Sequence, residues 1–406
     1  MVWPVLSGNK ADQRPVRGYS LADTSRRDLY LVYALSMILM TAYAAIFTLL
    51  AEIRNTFGFN DLSIGLIAGS AFVAGFIAQL SLSGLADRGY GKHLLILGLV
   101  LSIAAISWMI VASDLLSWVL SRSLLGFGAG CTRPGLRRYI LIVDPSLAGK
   151  RLGSLAAWEM VGFLIGPILS SIMFSFAGID APFFAILTSL LIILPMTSRL
   201  EIPAADRPVA KAIRTLLRTK AMQSCLAIGV AFYLAIGVFE AVWAIFMSDL
   251  GASQLFIGVT MSLFTVPMII VAPLAGNIAQ KTNTLRLITL TMSAAILCMI
   301  SYGALDSIWW LCVPLIFHSI ADAVTMPAIQ LAVGVASGKG ALAAGQGLFG
   351  ALGLLVAAVA SLAGSYIYQI SGPFLLWLSS GLMMALFVGL AIFLGKGHDW
   401  HYEIND

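Results

Sequence analysis

Residues 84–92 read G-L-A-D-R-G-Y-G-K and form a short charged turn between two long apolar runs. A weaker copy, G-N-I-A-Q-K-T-N-T, begins at Gly276. When Ser83 is aligned with Gly276, the same separation of 193 residues also aligns the Ile-Gly pair at 64–65 with the Ile-Gly pair at 257–258. A charged turn repeated half a chain apart, between segments of membrane length, predicts a duplicated bundle of membrane helices.

The composition of the chain supports a lipid environment. The 406 residues are 60% hydrophobic and only 11% charged, whereas an ordinary soluble domain carries about 25% charged residues. The net charge of +5 would suggest nucleic acid in a soluble protein. Here the basic residues cluster between apolar runs, so we expect contact with the lipid bilayer and no nucleic-acid partner.

The residues that usually carry catalysis or bind metals do not form a recognisable pattern. The four cysteines lie in apolar runs and make no C-x-x-C pair, which argues against a disulfide framework and a zinc site. Phosphate-binding loops and nucleophile–base patterns are also missing from the sequence. We therefore expect a protein that is not an enzyme and that needs no cofactor and no metal.

The apolar runs are long and numerous enough to define the fold class. A membrane helix needs about 20 mostly apolar residues. Such runs fit near 29–51, 62–83, 94–113, 116–137, 152–175, 181–198, 223–247, 254–276, 285–304, 308–334, 342–368 and 373–395. The prediction is an all-α integral membrane protein with twelve transmembrane helices in two pseudo-symmetric six-helix bundles.

The domain boundaries follow from a long polar stretch in the middle of the chain. We expect an N-terminal tail at 1–28, a first bundle at 29–198, a linker at 199–222, a second bundle at 223–395 and a C-terminal tail at 396–406. The linker contains two prolines and six basic residues. Its part from 209 to 220 is either a basic amphipathic helix on an anionic membrane surface or a solvated connection.

The charged residues between the spans predict the orientation. Lysine and arginine concentrate in every second loop, and such loops are cytoplasmic in membrane proteins. The opposite turns carry aspartates, with Arg54 as the one basic residue among them: Asp61, Asp114, Asp180, Asp249 and Asp306. We therefore expect both termini in the cytoplasm, with the protein in a bacterial inner (plasma) membrane.

The charged turn resembles the signature loop of the major facilitator superfamily, G-x-L-A-D-R-x-G-R-K, although Ser83 replaces the first glycine. This resemblance to the superfamily covers roughly residues 25–395. In that family the acid, here Asp87, caps a neighbouring helix and joins a charge network that holds the cytoplasmic side shut. The resemblance implies a cytoplasmic gate formed by Asp87, Arg88, Lys92 and Asp144. The alternative is that these charges only anchor the topology.

A second motif, R-S-L-L-G-F-G-A-G at 122–130, resembles the helix-four motif R-x-x-Q-G-x-G of the same superfamily. In the family this arginine, here Arg122, tunes proton transfer by a nearby acid. An arginine in hydrocarbon must be paired or hydrated, and Arg122 lies roughly 9 Å from the outer face at 1.5 Å per residue. Snorkelling to that face is therefore an alternative. Gly126 and Gly130 permit close helix packing.

The third motif, G-F-L-I-G-P-I-L-S-S at 162–171, resembles the G-x-x-x-G-P-x-x-G-G pattern of drug:proton antiporters, with serines in place of both final glycines. We expect Gly162 and Gly166 to pack tightly against the opposite half and Pro167 to bend the helix where the halves meet. A general small-residue packing face would give a similar pattern.

Four ionisable residues lie inside predicted spans: Glu159, Glu240, His318 and Asp322. Such residues are costly in a membrane and are functional candidates by default. His318 and Asp322 are four residues apart and share one helical face. In the superfamily, helices one, four, seven and ten line a central cavity, so the resemblance places Arg122, Glu240, His318 and Asp322 around one chamber.

Each of these residues also has a structural alternative. Glu240 is either a coupling acid or a structural partner of Arg122. His318 alternatively bonds a neighbouring helix, and Asp322 alternatively fixes the bend at Pro327. Glu159 is either a coupling acid or a packing partner of Arg133.

The resemblance implies a secondary transporter that works by alternating access as a monomer. The leading hypothesis is proton-coupled export of a small amphipathic molecule. Proton-coupled uptake of a nutrient or metabolite is the first alternative, and a non-transporting receptor or assembly factor is the second. A channel fits two-fold repeats with charged gates less well. Aromatic residues near the buried acids would suit an organic cation.

Overall fold

The computed structural model describes residues 26–85, 89–143, 148–200, 202, 212–337 and 342–401. All secondary structure in this part of the chain is helical. The helices are α1 (Arg26–Phe57), α2 (Asp61–Leu85), α3 (Gly91–Val111), α4 (Leu115–Val143), α5 (Ala148–Ala177), α6 (Ala181–Thr197), α7 (Ala212–Leu216), α8 (Lys220–Asp249), α9 (Gln254–Lys281), α10 (Thr284–Tyr302), α11 (Ile308–Ser337) and α12 (Leu342–Gly395).

The helices have the length and composition of membrane spans. Within the described residues, nine are long and apolar enough to cross a membrane, and α6 is a shorter apolar helix. α4 has a comparable length of 29 residues and carries the charged Arg122 seven residues after its first residue, Leu115. Because α12 holds two predicted spans, the helices are consistent with the twelve spans predicted from the sequence.

α12 is two helices joined by a sharp break. Gly372 has φ 75° and ψ −178°, outside the helical region. A positive φ favours glycine because it has no Cβ. Pro373 follows directly, and a proline disfavours helical geometry in the residue before it while starting a new helix readily. The break therefore falls between the predicted spans 342–368 and 373–395.

The internal repeat extends well beyond the charged turn. Three helices of the first half begin 193 residues before their counterparts in the second half. The pairs of first residues are Asp61 of α2 and Gln254 of α9, Gly91 of α3 and Thr284 of α10, and Leu115 of α4 and Ile308 of α11. The chain is thus two copies of one helical arrangement.

Packing follows the same two-fold pattern. In the first bundle α1 packs on α5, and α4 packs on α2 and α3. In the second bundle α8 packs on α12, and α11 packs on α9 and α10. The bundles meet through α2 with α12 and through α5 with α9, which are again equivalent pairs. The predicted all-α architecture with two pseudo-symmetric bundles is confirmed.

We call the end of the molecule where α1 begins and α12 ends the tail side. The opposite end, with the turns 57–61 and 249–254, is the hairpin side. Residues 201 and 203–211 of the predicted linker 199–222 lie outside the described residues, and the described remainder contains α7. The proposed domain boundaries, and the choice between an amphipathic and a solvated linker, therefore stay predictions.

α4 has a polar cap at its hairpin end. The side chain of Asp114 accepts hydrogen bonds from Ser117 N at 3.0 Å and from Ser117 Oγ at 2.6 Å. These bonds from Ser117 hold the pKa of the Asp114 carboxyl below its usual value. The carboxylate satisfies backbone donors of the first turn and complements the helix dipole.

The chain beyond α12 folds back onto the tail side. Trp400 is 2% exposed, and its Nε1 donates to Gly395 O at 3.0 Å. Its carbonyl oxygen accepts from Thr284 N at 3.1 Å and from Thr284 Oγ1 at 2.9 Å. The start of the C-terminal tail is therefore fastened to the beginning of α10.

Candidate functional site

A cavity of about 330 Å³ lies between the two bundles. This volume is within the range of small-molecule sites. Its polar lining consists of Tyr43, Gln79, Arg133, Arg137, Glu159, Tyr233, Glu240, Thr265, His318, Asp322 and Gln346. Much of the remaining wall is aromatic or thioether: Met40, Phe72, Met160, Phe163, Phe232, Phe239, Met261, Phe264, Met268 and Met326. The site combines an apolar wall with a few charged groups.

The helices that the resemblance assigns to the cavity do line it. They are α1, α4, α8 and α11, because the short α7 shifts the count by one in the second half. α2, α5, α9 and α12 contribute side chains as well. Sequence reasoning therefore identified four of the eight contributing helices.

Arg122 is buried in the first bundle rather than turned toward the membrane surface. Its guanidinium carbon lies 4.5 Å from the ring centroids of both Tyr43 and Phe47. Its Nη1 donates to Tyr43 O at 3.2 Å. Such desolvated cation–π contacts are worth about 2 kcal/mol. These contacts stabilise the fully buried arginine. Arg122 therefore does not extend to the membrane surface, as the snorkelling alternative required.

The position of Arg122 differs from the expectation that it faces the chamber. Tyr43 lines the cavity and Arg122 does not, so the arginine lies behind this ring. Its Nε and Nη2 atoms are buried without a hydrogen-bond partner in the structure. The sequence does not reveal this because it cannot show which aromatic residue of α1 faces α4.

Glu240 lies on α8 at the cavity wall and is 9% exposed. Its Oε2 atom is buried and has no hydrogen-bond partner in the structure. Arg122 and Arg133 act on it electrostatically. Yet no salt bridge joins Glu240 to either arginine within the described residues, so the predicted pairing of Glu240 with Arg122 is not a direct contact in this state.

His318 and Asp322 come together on one face of α11, as their spacing predicts. His318 Nε2 lies 3.8 Å from Asp322 Oδ2, and the two side chains are 1% and 6% exposed. On the other side of the ring, His318 Nδ1 shares a hydrogen bond of 3.1 Å with Tyr302 Oη. The result is a buried row of three ionisable groups, with Asp322 and His318 at the cavity. Nothing in the sequence pointed to Tyr302.

Glu159 and Arg133 both line the cavity but do not pair. Glu159 Oε1 accepts a hydrogen bond from Ser36 Oγ at 3.1 Å. Arg133 Nη2 contacts Met40 Sδ at 3.6 Å. In the described part of the chain no salt bridge links the two residues, so the packing pair considered from the sequence is not formed.

The glycines of α4 serve helix packing as expected. A Cβ on Gly126 would collide with the backbone of Ala71 on α2. A Cβ on Gly130 would lie 2.6 Å from Cβ of Ala78, also on α2. Both positions require glycine because α2 and α4 approach to backbone contact.

The glycines of α5 differ from the expectation. Gly162 and Gly166 face Met37 and Thr41 on α1, inside the same bundle and not against the opposite half. Thr41 Oγ1 donates to Gly162 O at 3.2 Å across this contact. The prediction that they pack on the other half was wrong, because spacing alone does not show which neighbour a glycine face meets.

The contact between the halves is made by the next residues of the motif and by the repeated Ile-Gly pair. A Cβ on Gly258 of α9 would lie 2.8 Å from Pro167 O on α5. Its counterpart Gly65 on α2 would meet Ser361 O at 2.8 Å and Ser365 Cβ at 2.6 Å on α12. Pro167 therefore lies where the halves meet, and the sequence repeat marks two equivalent positions of this interface.

Only one of the four residues of the predicted cytoplasmic gate lies in the described part of the chain. Asp87, Arg88 and Asp144 lie outside the described residues. Lys92 lies in the first turn of α3. The gate therefore stays a prediction.

An ionic cluster at the hairpin side was missed from the sequence. Arg54 Nη1 lies 3.0 Å from Asp61 Oδ1 and 3.2 Å from Asp249 Oδ2, which joins α1 to α2 and to α8. Tyr368 Oη of α12 donates to Asp249 Oδ2 at 2.7 Å. The available signal was that Arg54 is the one basic residue among the acidic turns. We call Arg54, Asp61, Asp249 and Tyr368 the hairpin-side seal.

Two more bonds between the halves reinforce this seal. Gln254 Nε2 of α9 donates to Thr48 O of α1 at 2.7 Å. Leu62 N of α2 donates to Gln369 Oε1 of α12 at 3.0 Å. At the other end, the cavity lining includes Gln79, Arg137 and Gln346, all within six residues of a tail-side helix end. The cavity thus reaches toward the tail side, while the halves are joined at the hairpin side.

A duplicated bundle of apolar helices around a central cavity that contains a few charged groups, closed by ion pairs at one end, is typical of a membrane transporter. The sequence matches the profile of the Major Facilitator Superfamily over residues 29–239 and 225–399. The chain belongs to this family, and it is a transporter and not an enzyme.

Curated relatives and solved structures agree with this assignment. The chain is 25% identical to the multidrug resistance protein MdtG of Enterobacter lignolyticus over 280 residues, which is 66% of this chain and 66% of the relative. It is 23% identical to MdtG of Proteus mirabilis over 323 residues, or 75% of this chain and 80% of the relative.

Two solved structures share the fold. A mutant of the nucleoside transporter NupG superposes with a TM-score of 0.77 at 13% identity, covering 91% of this chain and all of that chain. A D-xylose-proton symporter gives a TM-score of 0.75 at 15% identity, covering 92% of this chain and 98% of the other.

Proposed function

We propose that this transporter exports a small amphipathic molecule in exchange for protons, with the cavity as binding site and Asp322 as the principal proton-carrying group. The observation that carries the proposal is the buried row of Tyr302, His318 and Asp322, which ends at the cavity wall. The multidrug resistance proteins among the relatives support export.

Asp322 has the surroundings of a group that gains and loses a proton. A carboxylate in a low-dielectric site is costly unless it is paired or hydrated. His318 at 3.8 Å is its neighbour, and the tyrosine behind the histidine fixes the ring. Protonation of Asp322 removes its buried charge. Loss of the proton restores this charge and with it a site for substrate or solvent. Since each state favours one global conformation, proton binding shifts the balance between them.

Glu240 is the second acid of this proposal. It lies on α8 at the same cavity, and one of its oxygens has no hydrogen-bond partner. Arg122 behind Tyr43 acts on it across the interior of the protein. We propose that the charge of this arginine contributes to the balance between the protonated and the ionised form of Glu240.

Alternating access uses the two bundles as rigid bodies. The hairpin-side seal is closed in this structure, and we propose that it opens when the tail-side gate of Asp87, Arg88, Lys92 and Asp144 closes. The positive-inside distribution of charge supports a cytoplasmic tail side, with both termini in the cytoplasm of a bacterial inner membrane. The transporter is proposed to act as a monomer, because each chain contains a complete cavity.

The test is the direction of coupled movement in inside-out membrane vesicles with an acidic interior. A panel of amphipathic anions, neutral compounds and cations is added outside, and an internal pH-sensitive dye reports proton release. Export by antiport predicts compound-dependent alkalinisation that vesicles without the protein do not show. Substrate that instead leaves preloaded vesicles together with protons, into the medium on the cytoplasmic face, contradicts export and supports uptake.

A further inference from the structure

Two arginines of the cavity have no part in the coupling scheme above. Arg133 and Arg137 are four residues apart on α4, so their side chains project from the same helical face. Both line the cavity. Arg133 lies ten residues and Arg137 six residues before Val143, the tail-side end of α4. Both are therefore closer to the tail side than Arg122, which lies near the other end of the same helix.

These arginines lack carboxylate partners, since within the described residues neither forms a salt bridge. The hydrogen bond of Arg133 goes to the sulfur of Met40 at 3.6 Å, and a thioether is a weak acceptor. A guanidinium group has five N–H donors, so most of the donors of Arg133 are available to a ligand.

The acids of the cavity do not neutralise this pair. Glu159 is the acid that acts on Arg137, and one of its oxygens already accepts from Ser36. Glu240 acts on Arg133 from nine residues before the hairpin end of α8, without a salt bridge to it in the described part of the chain. No carboxylate of the described residues is in salt-bridge contact with either guanidinium group, which leaves positive charge available to a ligand at the tail-side part of the cavity.

The surrounding wall completes a site for a two-part ligand. Tyr233 carries a phenol near both arginines. The apolar part of the cavity wall includes Phe163, Phe264 and Met268. A head group at the arginines would therefore place an apolar body among aromatic and thioether side chains, which accommodate varied shapes.

We propose that Arg133 and Arg137 form an anion subsite and that the transported molecule is an amphipathic organic anion with a carboxylate-like head group. The planar fork of arginine matches the two oxygens of such a group, and charge-assisted bonds of this kind are the strong ones. This inference rests on the proposed function, since it takes the cavity as the transport site. It opposes the expectation of an organic cation bound by aromatic residues near Glu240 and Asp322.

The experiment measures equilibrium binding to the purified protein in lipid nanodiscs without any proton gradient. Three radiolabelled probes share one apolar body and differ in head group: phenylbutyrate is an anion, phenylbutyramide is neutral and phenylbutylamine is a cation. Arg133→Gln and Arg137→Gln remove one charge each, and Arg133→Lys keeps the charge without the fork. Arg286→Gln is the matched control, because Arg286 is an exposed arginine at the start of α10, away from the cavity lining.

The inference predicts that phenylbutyrate binds at least tenfold more tightly than the other two probes. Each glutamine variant should lose about tenfold in phenylbutyrate affinity, the size expected for one charge-assisted contact. Arg133→Lys should retain part of the affinity, and Arg286→Gln all of it. Unchanged binding of phenylbutyramide by the glutamine variants shows that their cavity is intact.

Three results would overturn the inference. They are tighter binding of phenylbutylamine than of phenylbutyrate, equal phenylbutyrate affinity in the wild type and both glutamine variants, and no measurable phenylbutyrate binding. Failure of proton coupling is separate, because binding is measured at equilibrium. If Asp322→Asn binds phenylbutyrate normally and the wild type moves no protons, the anion subsite stands and the proposed antiport fails.

Discussion

Arg54 in the last turn of α1 and Asp249 in the last turn of α8 form an ion pair that joins the two halves at the hairpin side. Their side chains are 16% and 41% exposed. Exposure of this order limits the pair to about 1 kcal/mol or less. A weak bond suits the proposed opening of the hairpin side during transport.

The first prediction concerns this pair. Asp249→Asn should increase the population of the state in which the hairpin side is open by up to about fivefold, which corresponds to about 1 kcal/mol. A cysteine placed at Thr48, which is fully buried beneath the seal, reports the opening in a background free of native cysteines. Labelling by a membrane-impermeant maleimide should therefore become faster in Asp249→Asn.

Asp306→Asn is the control for this prediction. Asp306 is an exposed aspartate at the hairpin side, and the described structure shows no salt bridge to it. Its variant should label at the wild-type rate. If Asp249→Asn also labels at that rate, the seal does not hold the halves together.

The second prediction concerns the buried arginine of α4. Arg122→Lys should lower the free energy of unfolding by on the order of 2 kcal/mol, because lysine cannot contact two rings and donate to Tyr43 O in the same geometry. Thermal unfolding in detergent measures the change. Arg286→Lys, at an exposed position, should leave the stability unchanged. An equal effect in both variants would contradict the described contacts.

The third prediction tests the backbone contact between α2 and α4. Gly126→Ala should destabilise the protein by about 1–3 kcal/mol, the usual cost of overpacking, since the new Cβ meets the backbone of Ala71. Gly276→Ala is the matched control in α9, because a Cβ there has no neighbour within 4 Å. The control should be neutral or slightly stabilising, as alanine favours helices over glycine. Similar unfolding temperatures for the two variants would refute the close approach.

The fourth prediction concerns the C-terminal tail. Trp400→Ala should cost about 3–5 kcal/mol, the range for a buried aromatic residue, and should loosen the start of α10. Trp310 is 67% exposed, and Trp310→Ala should change stability by about 0.5 kcal/mol or less. Thermal unfolding compares them, and proteolysis of the tail gives a second readout. A tail that is cut at the same rate in wild type and Trp400→Ala would mean that this tryptophan does not fasten it.

The sequence predicted the fold well because hydrophobic length and charge placement are local signals. Runs of about 20 apolar residues gave the spans, and the Ile-Gly repeat identified equivalent positions. Gly65 and Gly258 both lie where the halves meet. The spacing of His318 and Asp322 also predicted a contact that lies within one helix, since helical geometry alone fixes it.

Contacts between helices were not predictable in the same way. Gly162 and Gly166 pack on α1 and not on the other half, because the small-residue pattern does not identify its neighbour. Arg122 lies behind Tyr43, and Tyr302 reaches His318 from α10. Each of these depends on how two helices are rotated relative to one another, which no single stretch of sequence encodes.

The hairpin-side seal also depends on contacts between helices that the sequence does not reveal. Arg54 stood out as a basic residue among acidic turns, but the sequence did not show that Asp61 and Asp249 both reach it. The separation of 195 residues between Arg54 and Asp249 places this contact beyond local patterns.

The most direct test of the account is proton coupling in the Asp322→Asn variant. Inside-out vesicles with an acidic interior receive phenylbutyrate, or any compound to which the wild type responds, and an internal dye follows proton release. The account predicts substrate-dependent proton release by the wild type and by the control Asp180→Asn. Asp322→Asn should still exchange labelled substrate across the membrane but release no protons. Proton release at the wild-type rate in Asp322→Asn would contradict the account.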